Sequence, residues 1–92
     1  MVRRRVVVRG QVQGVGYRWA ARDQAVALGV TGFVQNLRDG SVLAEVEGSA
    51  AAVDAMVQWM RSGPPGATVT SIEIDADAAL DTPISAGFEI RH

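Results

Sequence analysis

The chain contains no cysteine, which excludes a disulfide, a thiol nucleophile, a thiolate metal site and an iron–sulfur cluster. Lysine is missing too, since all nine cationic side chains are arginines. That removes the lysine of a Walker phosphate loop and the amine needed for a Schiff base. No run of about 18 apolar residues occurs, so no membrane-spanning helix is expected. The opening Met1-Val2-Arg3-Arg4-Arg5-Val6-Val7-Val8 has the basic head of a signal peptide. Its valines stop at Arg9, too soon for the apolar region of such a peptide, and the cytoplasm is the expected compartment. The single histidine, His92, is the last residue, a poor place for a general base or a metal ligand.

What is present fits one globular domain spanning residues 1–92, with 48% apolar and 21% charged residues. A chain of this size buries enough surface to fold without covalent staples, with little margin. Net charge is −1 but unevenly spread. Residues 1–40 carry seven arginines against Asp23 and Asp39, a net +5, and residues 41–92 carry a net −6. The positive half would favour an anionic ligand, although most of its arginines are expected to lie on solvated strand and helix faces.

Hydrophobic periodicity divides the chain into seven elements. Residues 3–10 read as a strand, with Val6 and Val8 on one face and Arg5, Val7 and Arg9 on the other. Tyr17, Ala20, Ala21, Ala25 and Leu28 recur at helical spacing, predicting a helix over 18–28 closed by Gly29. Strands are expected at 30–36 and 41–48, joined through Asp39-Gly40, a hairpin dipeptide. Ser49 caps a second helix with the stripe Val53, Met56, Val57 and Met60, and Gly63-Pro64-Pro65-Gly66 ends it. Residues 67–75 alternate, with Thr70, Ile72 and Ile74 assigned to one face. A loop from Asp77 to Ala86 leads to a short strand from Gly87 to Arg91. The order βαββαβ plus one strand predicts an α+β, ferredoxin-like split βαβ sandwich, with two helices on one face of a mainly antiparallel sheet.

The chemistry concentrates in Gly10-Gln11-Val12-Gln13-Gly14-Val15-Gly16-Tyr17-Arg18. A strand passes through glycines into a helix that no Ser, Thr, Asp or Asn caps. Such a helix start offers backbone N–H donors and partial positive charge, and Arg18 adds a full charge. Together they suit a tetrahedral anion such as phosphate. A glycine-rich turn alone has a plainer explanation, a strand-to-helix reversal that needs positive φ. Neither a Walker loop nor a dinucleotide fingerprint occurs. Asn36 alone reads as a hairpin residue steadying the turn toward Asp39-Gly40. Trp19 and Trp59 read as packing or partly exposed residues, Trp19 lying next to Arg18. Asp75, Asp77 and Asp81 lack the spacing of a calcium loop and read as a solvated acidic stretch.

Two segments taken together resemble the acylphosphatase family. The first is the glycine-rich run just quoted, similar to G-x-V-Q-G-V-x-F-R. The second is Gly32-Phe33-Val34-Gln35-Asn36 with Gly40, Val42 and Gly48. The likeness extends to Ala25-x-x-Leu28-Gly29, Met56-x-x-Trp59, Gly63-Pro64 and Phe88-x-Ile90-Arg91, so it covers essentially the whole chain. Tyr17 departs from the usual phenylalanine, and its hydroxyl is expected to reach the surface or a nearby polar group. The resemblance implies hydrolysis of the carboxyl–phosphate bond of a small-molecule acyl phosphate, with no metal or other cofactor. It implies that Arg18 binds the phosphate and Asn36 positions the attacking water. The backbone N–H groups of Gly14, Val15, Gly16, Tyr17 and Arg18 would cradle the phosphate oxygens. Inorganic phosphate would then be a product inhibitor, and a monomer without nucleic-acid or membrane partners is expected. In this family the chain terminus lies near the arginine, so a contact between the His92 carboxylate and Arg18 is a further expectation.

Two other classes compete with the enzyme. One is a non-catalytic phosphate- or anion-binding module of the same fold. The other is an RNA-binding sheet, which needs aromatics on its central strands. Val42-Leu43-Ala44-Glu45-Val46-Glu47 has none and carries two acids, which disfavours it.

Overall fold

The chain runs β1 (Val2–Gln11), α1 (Tyr17–Leu28), β2 (Thr31–Asn36), β3 (Val42–Gly48), α2 (Ala50–Ser62), β4 (Thr68–Asp75) and β5 (Phe88–Arg91). This is a computed structural model, and it describes residues 1–75 and 87–91. The expected loop from Asp77 to Ala86, with Asp77 and Asp81, and the terminal His92 lie outside the described residues. The five strands form one sheet in the order β4-β1-β3-β2-β5. β1 pairs antiparallel with β3 and β4, β2 pairs antiparallel with β3, and β5 runs parallel to β2. Both helices pack on one face, as the βαββαβ order requires. Among the described residues, no helix is long and apolar enough to cross a membrane.

The core lies between that face and the helices. Val6, Val8, Val34, Val42, Ala44 and Val46 rise from the sheet to meet Tyr17, Ala21, Ala25, Val53, Met56 and Met60. On β3 the buried and half-buried residues alternate strictly, the period-2 signature of a strand with one covered face. On α1 the buried Tyr17, Ala21 and Ala25 recur every four residues, and the alanines let the helix approach the sheet closely. Ser49 caps α2 as expected, its Oγ accepting from the Ala52 N–H at 3.1 Å. The helical stripe Val53, Met56, Val57 and Met60 is buried throughout.

Two expectations are corrected. The first concerns Thr70, which does not share a face with Ile72 and Ile74. The β1–β4 register shifts between Arg9 and Gly10: Val8 pairs with Ile72 and Arg9 with Ser71, then Gly10 pairs with Val69. Thr70 is the extra residue of a β-bulge, which changes the parity of the strand beyond it. Val69, not Thr70, therefore packs against the core with Ile72. Thr70 is exposed, and its Oγ1 donates to the Arg9 carbonyl at 3.2 Å.

The second concerns the arginines of β1. Of these, Arg3 alone is buried; Arg5 and Arg9 stay partly exposed, as expected, and all three meet carboxylates from the neighbouring strands or from the β2–β3 turn. Arg3 meets Glu47 at 3.0 Å, Arg5 meets Glu45 at 3.1 Å, and Arg9 meets Asp39 at 3.1 Å and Glu73 at 3.3 Å. Arg3 is only 4% exposed. The charge asymmetry of the sequence is thus largely cancelled on the sheet, because the basic strand lies between two acidic ones. Long-range steering of anions by these arginines is correspondingly weak.

The bulge depends on Gly10. Its φ is +130°, and a Cβ there would sit 2.1 Å from the Thr68 carbonyl oxygen. Gly10→Ala is expected to cost at least about 2 kcal/mol, from backbone strain plus the collision. Urea denaturation checks this, with Gly66→Ala as the comparison. There φ is +96° but nothing lies within 4 Å of the added Cβ, so the loss should be smaller.

Candidate functional site

β1 and β2 run in the same direction, and both end at the same end of the sheet. At the end of β1 the chain buries Val12, then turns through Gly14 and Gly16, with φ of 75° and 78°. Left-handed backbone is cheap only for glycine, which explains both residues. Gly16 is the N-cap of α1 and provides no side-chain cap. The helix begins at Tyr17, one residue earlier than expected, and its first bond runs from the Ala20 N–H to the Gly16 carbonyl at 3.0 Å.

A cavity of about 220 Å³ opens at this helix start. Val12, Gly14, Gly16, Tyr17, Arg18 and Trp19 line it, together with Asn36 from the end of β2. Sites for drug-sized ligands span roughly 300–1,000 Å³, so this one suits a small anion with a modest substituent. The structure therefore brings Gly14, Gly16, Tyr17, Arg18 and Asn36 together. Val15 is not among the lining residues; its side chain packs against the core. Among the described residues, no group of three or more His, Cys, Asp or Glu is arranged to hold a metal.

Arg18 is half-buried, and its Nη1 donates to the Arg91 carbonyl at 3.0 Å. The last described residue of β5 thereby fixes the guanidinium at the cavity wall. β5 is itself held by Arg91, whose guanidinium carbon lies 3.8 Å from the centre of the Phe33 ring on β2. The expected contact with the His92 carboxylate lies outside the described residues, while the neighbouring carbonyl makes the bond to Arg18.

Tyr17 is buried, and its hydroxyl donates to the Met60 carbonyl at 2.8 Å. Of the two destinations expected for that hydroxyl, a nearby polar group is the one observed. Burial pushes the phenol pKa up, so Tyr17 stays neutral and cannot supply a phenolate near neutrality. Its ring lies 5.6 Å from that of Trp59, which packs as expected. Trp19 instead stands at the cavity rim, 61% exposed.

Asn36 Oδ1 is buried and accepts no hydrogen bond from the described residues. Asn36 as a residue lines the cavity, while this oxygen is sealed from it, an unusual state for a buried acceptor. The carbonyl does not steady the turn, as the plainer reading of Asn36 supposed. Asp39 does that: its Oδ1 accepts from the Ser41 N–H at 2.9 Å and from the Ser41 hydroxyl. Those bonds and Arg9 hold the Asp39 carboxyl down to about 2.

Sequence reasoning missed Gln13 as a positioning residue. Its Nε2 donates to the Leu37 carbonyl at 2.7 Å and to the Ser41 carbonyl at 2.8 Å. One side chain thus straps the glycine loop to the β2–β3 turn beside Asn36. The available signal was a glutamine just past the end of β1 that directly precedes the turning glycines.

Comparison with known proteins gives a consistent result. The family model for acylphosphatase matches residues 4–90. An acylphosphatase of Anaeromyxobacter dehalogenans (strain 2CP-C) is 52% identical over 91 residues, covering 98% of this chain and 95% of that protein. The crystal structure of acylphosphatase from Bacillus subtilis superposes with a TM-score of 0.91 at 32% identity and covers all of both chains. The structure of an acylphosphatase from Coxiella burnetii gives 0.88 at 31% identity, covering 98% of this chain and 92% of that one.

Gln13→Ala is expected to cost about 1–3 kcal/mol in urea denaturation, because two carbonyls lose a donor. The amide resonances of Gly14 and Asn36 should move together in the variant. A response confined to the neighbours of residue 13 would show that loop and turn are independent.

Proposed function

Because this chain belongs to the acylphosphatase family and hydrolyses acyl phosphates, we propose that the reaction takes place in the cavity at the start of α1, with Arg18 binding the phosphoryl group and Asn36 holding the attacking water. One observation supports this reading above the others. An arginine held by β5, two turning glycines and the Asn36 side chain from the end of β2 border the same small cavity. We assign the chemistry to one domain spanning residues 1–92.

The reaction asks little of the protein. Water attacks phosphorus, the bond from phosphorus to the acyl oxygen breaks, and the electron pair leaves on a carboxylate. A carboxylate is a good leaving group and needs no general acid. The remaining demand is positioning and charge stabilisation. Arg18 supplies a planar fork of donors matched to phosphate oxygens, and its charge does not titrate near neutrality. The amides of Gly14, Val15, Gly16, Tyr17 and Arg18 complete the nest, at the positive end of the helix dipole. Asn36 can accept from the water and hold it in line, but it is no base. The proton passes to a phosphate oxygen or to solvent. This chemistry requires no metal, and activity should persist in EDTA. Inorganic phosphate, as the product, should compete with substrate.

A non-catalytic anion-binding role finds no support among the relatives. RNA binding is disfavoured by the open face of the sheet, where Arg3 and Arg5 are paired with Glu47 and Glu45. Phe33 lies under the Arg91 guanidinium and is not presented for stacking. A cytoplasmic monomer is the form we assign, and size-exclusion chromatography tests its oligomeric state.

Benzoyl phosphate hydrolysis, followed by ultraviolet absorbance, tests the two side-chain roles. Arg18→Lys keeps the charge but loses the fork, and turnover should fall at least about a hundredfold, the scale of one lost oxyanion donor. Turnover at the wild-type level would overturn the bidentate role. Asn36→Ala should bind phosphate nearly as the wild type does, by calorimetry, and hydrolyse little. An unchanged turnover number would remove Asn36 from the mechanism.

A further inference from the structure

The phosphate half of the substrate accounts for the loop, Arg18 and Asn36, but the acyl half must also lie against something. Trp19 is the large apolar side chain on the cavity rim that the core does not take up. The buried side of α1 is formed by Tyr17, Ala21 and Ala25. Successive helical residues are rotated by about 100°, so Trp19 points away from that side while Arg18 lies between the two directions. The same turn of helix that sets the guanidinium at the cavity also sets the indole at its mouth. Arg22, three residues on, places its guanidinium carbon 5.9 Å from the centre of the indole ring and steadies it from one side. Nothing lies within 4 Å of where a Cβ would stand at Gly14 or Gly16, so the glycine side of the rim is open.

We propose that the Trp19 indole is the platform for the acyl group, giving this enzyme a preference for acyl phosphates with flat, apolar acyl groups over short aliphatic ones. The proposal rests on the reading of this cavity as the phosphoryl site. An aroyl group bonded to a phosphoryl held at Arg18 has to leave the nest through the mouth of the cavity, where the indole offers a face for offset stacking. A methyl group in the same position covers little of that face. The indole therefore acts on the choice among substrates and takes no part in bond cleavage.

The test compares kcat/KM for benzoyl phosphate and acetyl phosphate in the wild type, Trp19→Ala and Trp19→Phe. The benzoyl-to-acetyl ratio should fall about tenfold in Trp19→Ala, the scale of one lost aromatic contact, with the change carried mainly by KM. Trp19→Phe should keep most of the ratio, which a merely structural role would not predict. In a Trp59→Phe chain, Trp19 is the remaining indole, and benzoylphosphonate should shift its emission more than inorganic phosphate does. An unchanged ratio, or parallel loss of both substrates, would overturn the proposal. Absence of turnover of either substrate by the wild type would instead overturn the catalytic reading beneath it.

Discussion

The site depends on a gap that the fold creates and one side chain closes. β1 and β2 are parallel in space but not adjacent, because β3 lies between them in the sheet. A right-handed crossover through α1 brings their carboxyl ends to the same end of the sheet, one strand apart. The sheet ladder holds Asn36 opposite Val42, which pairs with Val8 on its other side, but the glycine loop lies beyond the paired residues of β1. Gln13 ties that loop in, by donating to carbonyls on both sides of the turn that enters β3. A two-pronged bond to backbone resists rotation as well as stretching. Positioning of this kind matters more here than chemical reactivity, since a misplacement of about 1 Å can cost a hundredfold in rate.

The arginine-only composition takes on a structural sense once the strands are assembled. β1 carries Arg3, Arg5 and Arg9 toward the face without helices, and its two neighbours answer with Glu47, Glu45 and Glu73. Exposed pairs of this type contribute about 0–1 kcal/mol each, and a buried one such as Arg3–Glu47 can cost as much as it returns. Their value is better sought in register. A one-residue slip would exchange the faces of the strand and set Val6 and Val8 against solvent. It would also leave the arginines facing the core. Charge on one face and valine on the other thus specify the same alignment twice.

Most of the fold was legible because its signals are local and repeated. The alternation of Val42, Ala44 and Val46, the Ser49 cap and the stripe through Met56 and Met60 each follow from a few neighbouring residues. The motifs around Arg18 and Asn36 were legible only as a pair, through their resemblance to the acylphosphatase family, since the glycine run alone reads as a turn and Asn36 alone as a hairpin residue. What escaped was the bulge at Thr70, because one extra residue reverses parity without altering composition. Pairing of the β1 arginines escaped as well, being a property of strand order. So did the Arg91 carbonyl that accepts from Arg18 and the two hydrogen bonds that Gln13 donates. In all four cases the partner comes from a distant part of the chain, and no local pattern announces it.

Tyr17 shows how the reacting end of the helix is held from the other side. At this position a phenylalanine would fill the same space between α1 and α2. The tyrosine adds a bond from its hydroxyl to the Met60 carbonyl near the end of α2, and its ring meets Trp59, the preceding residue. The first residue of α1 is thereby anchored in the core, and the next, Arg18, is anchored by β5. A helix start usually frays because its first N–H groups lack intrahelical partners. In the proposed site those donors bind the phosphoryl group, so a side-chain cap would compete with it. Rigidity has to come from elsewhere, and the buried phenol together with the β5 carbonyl provides it without occupying the nest.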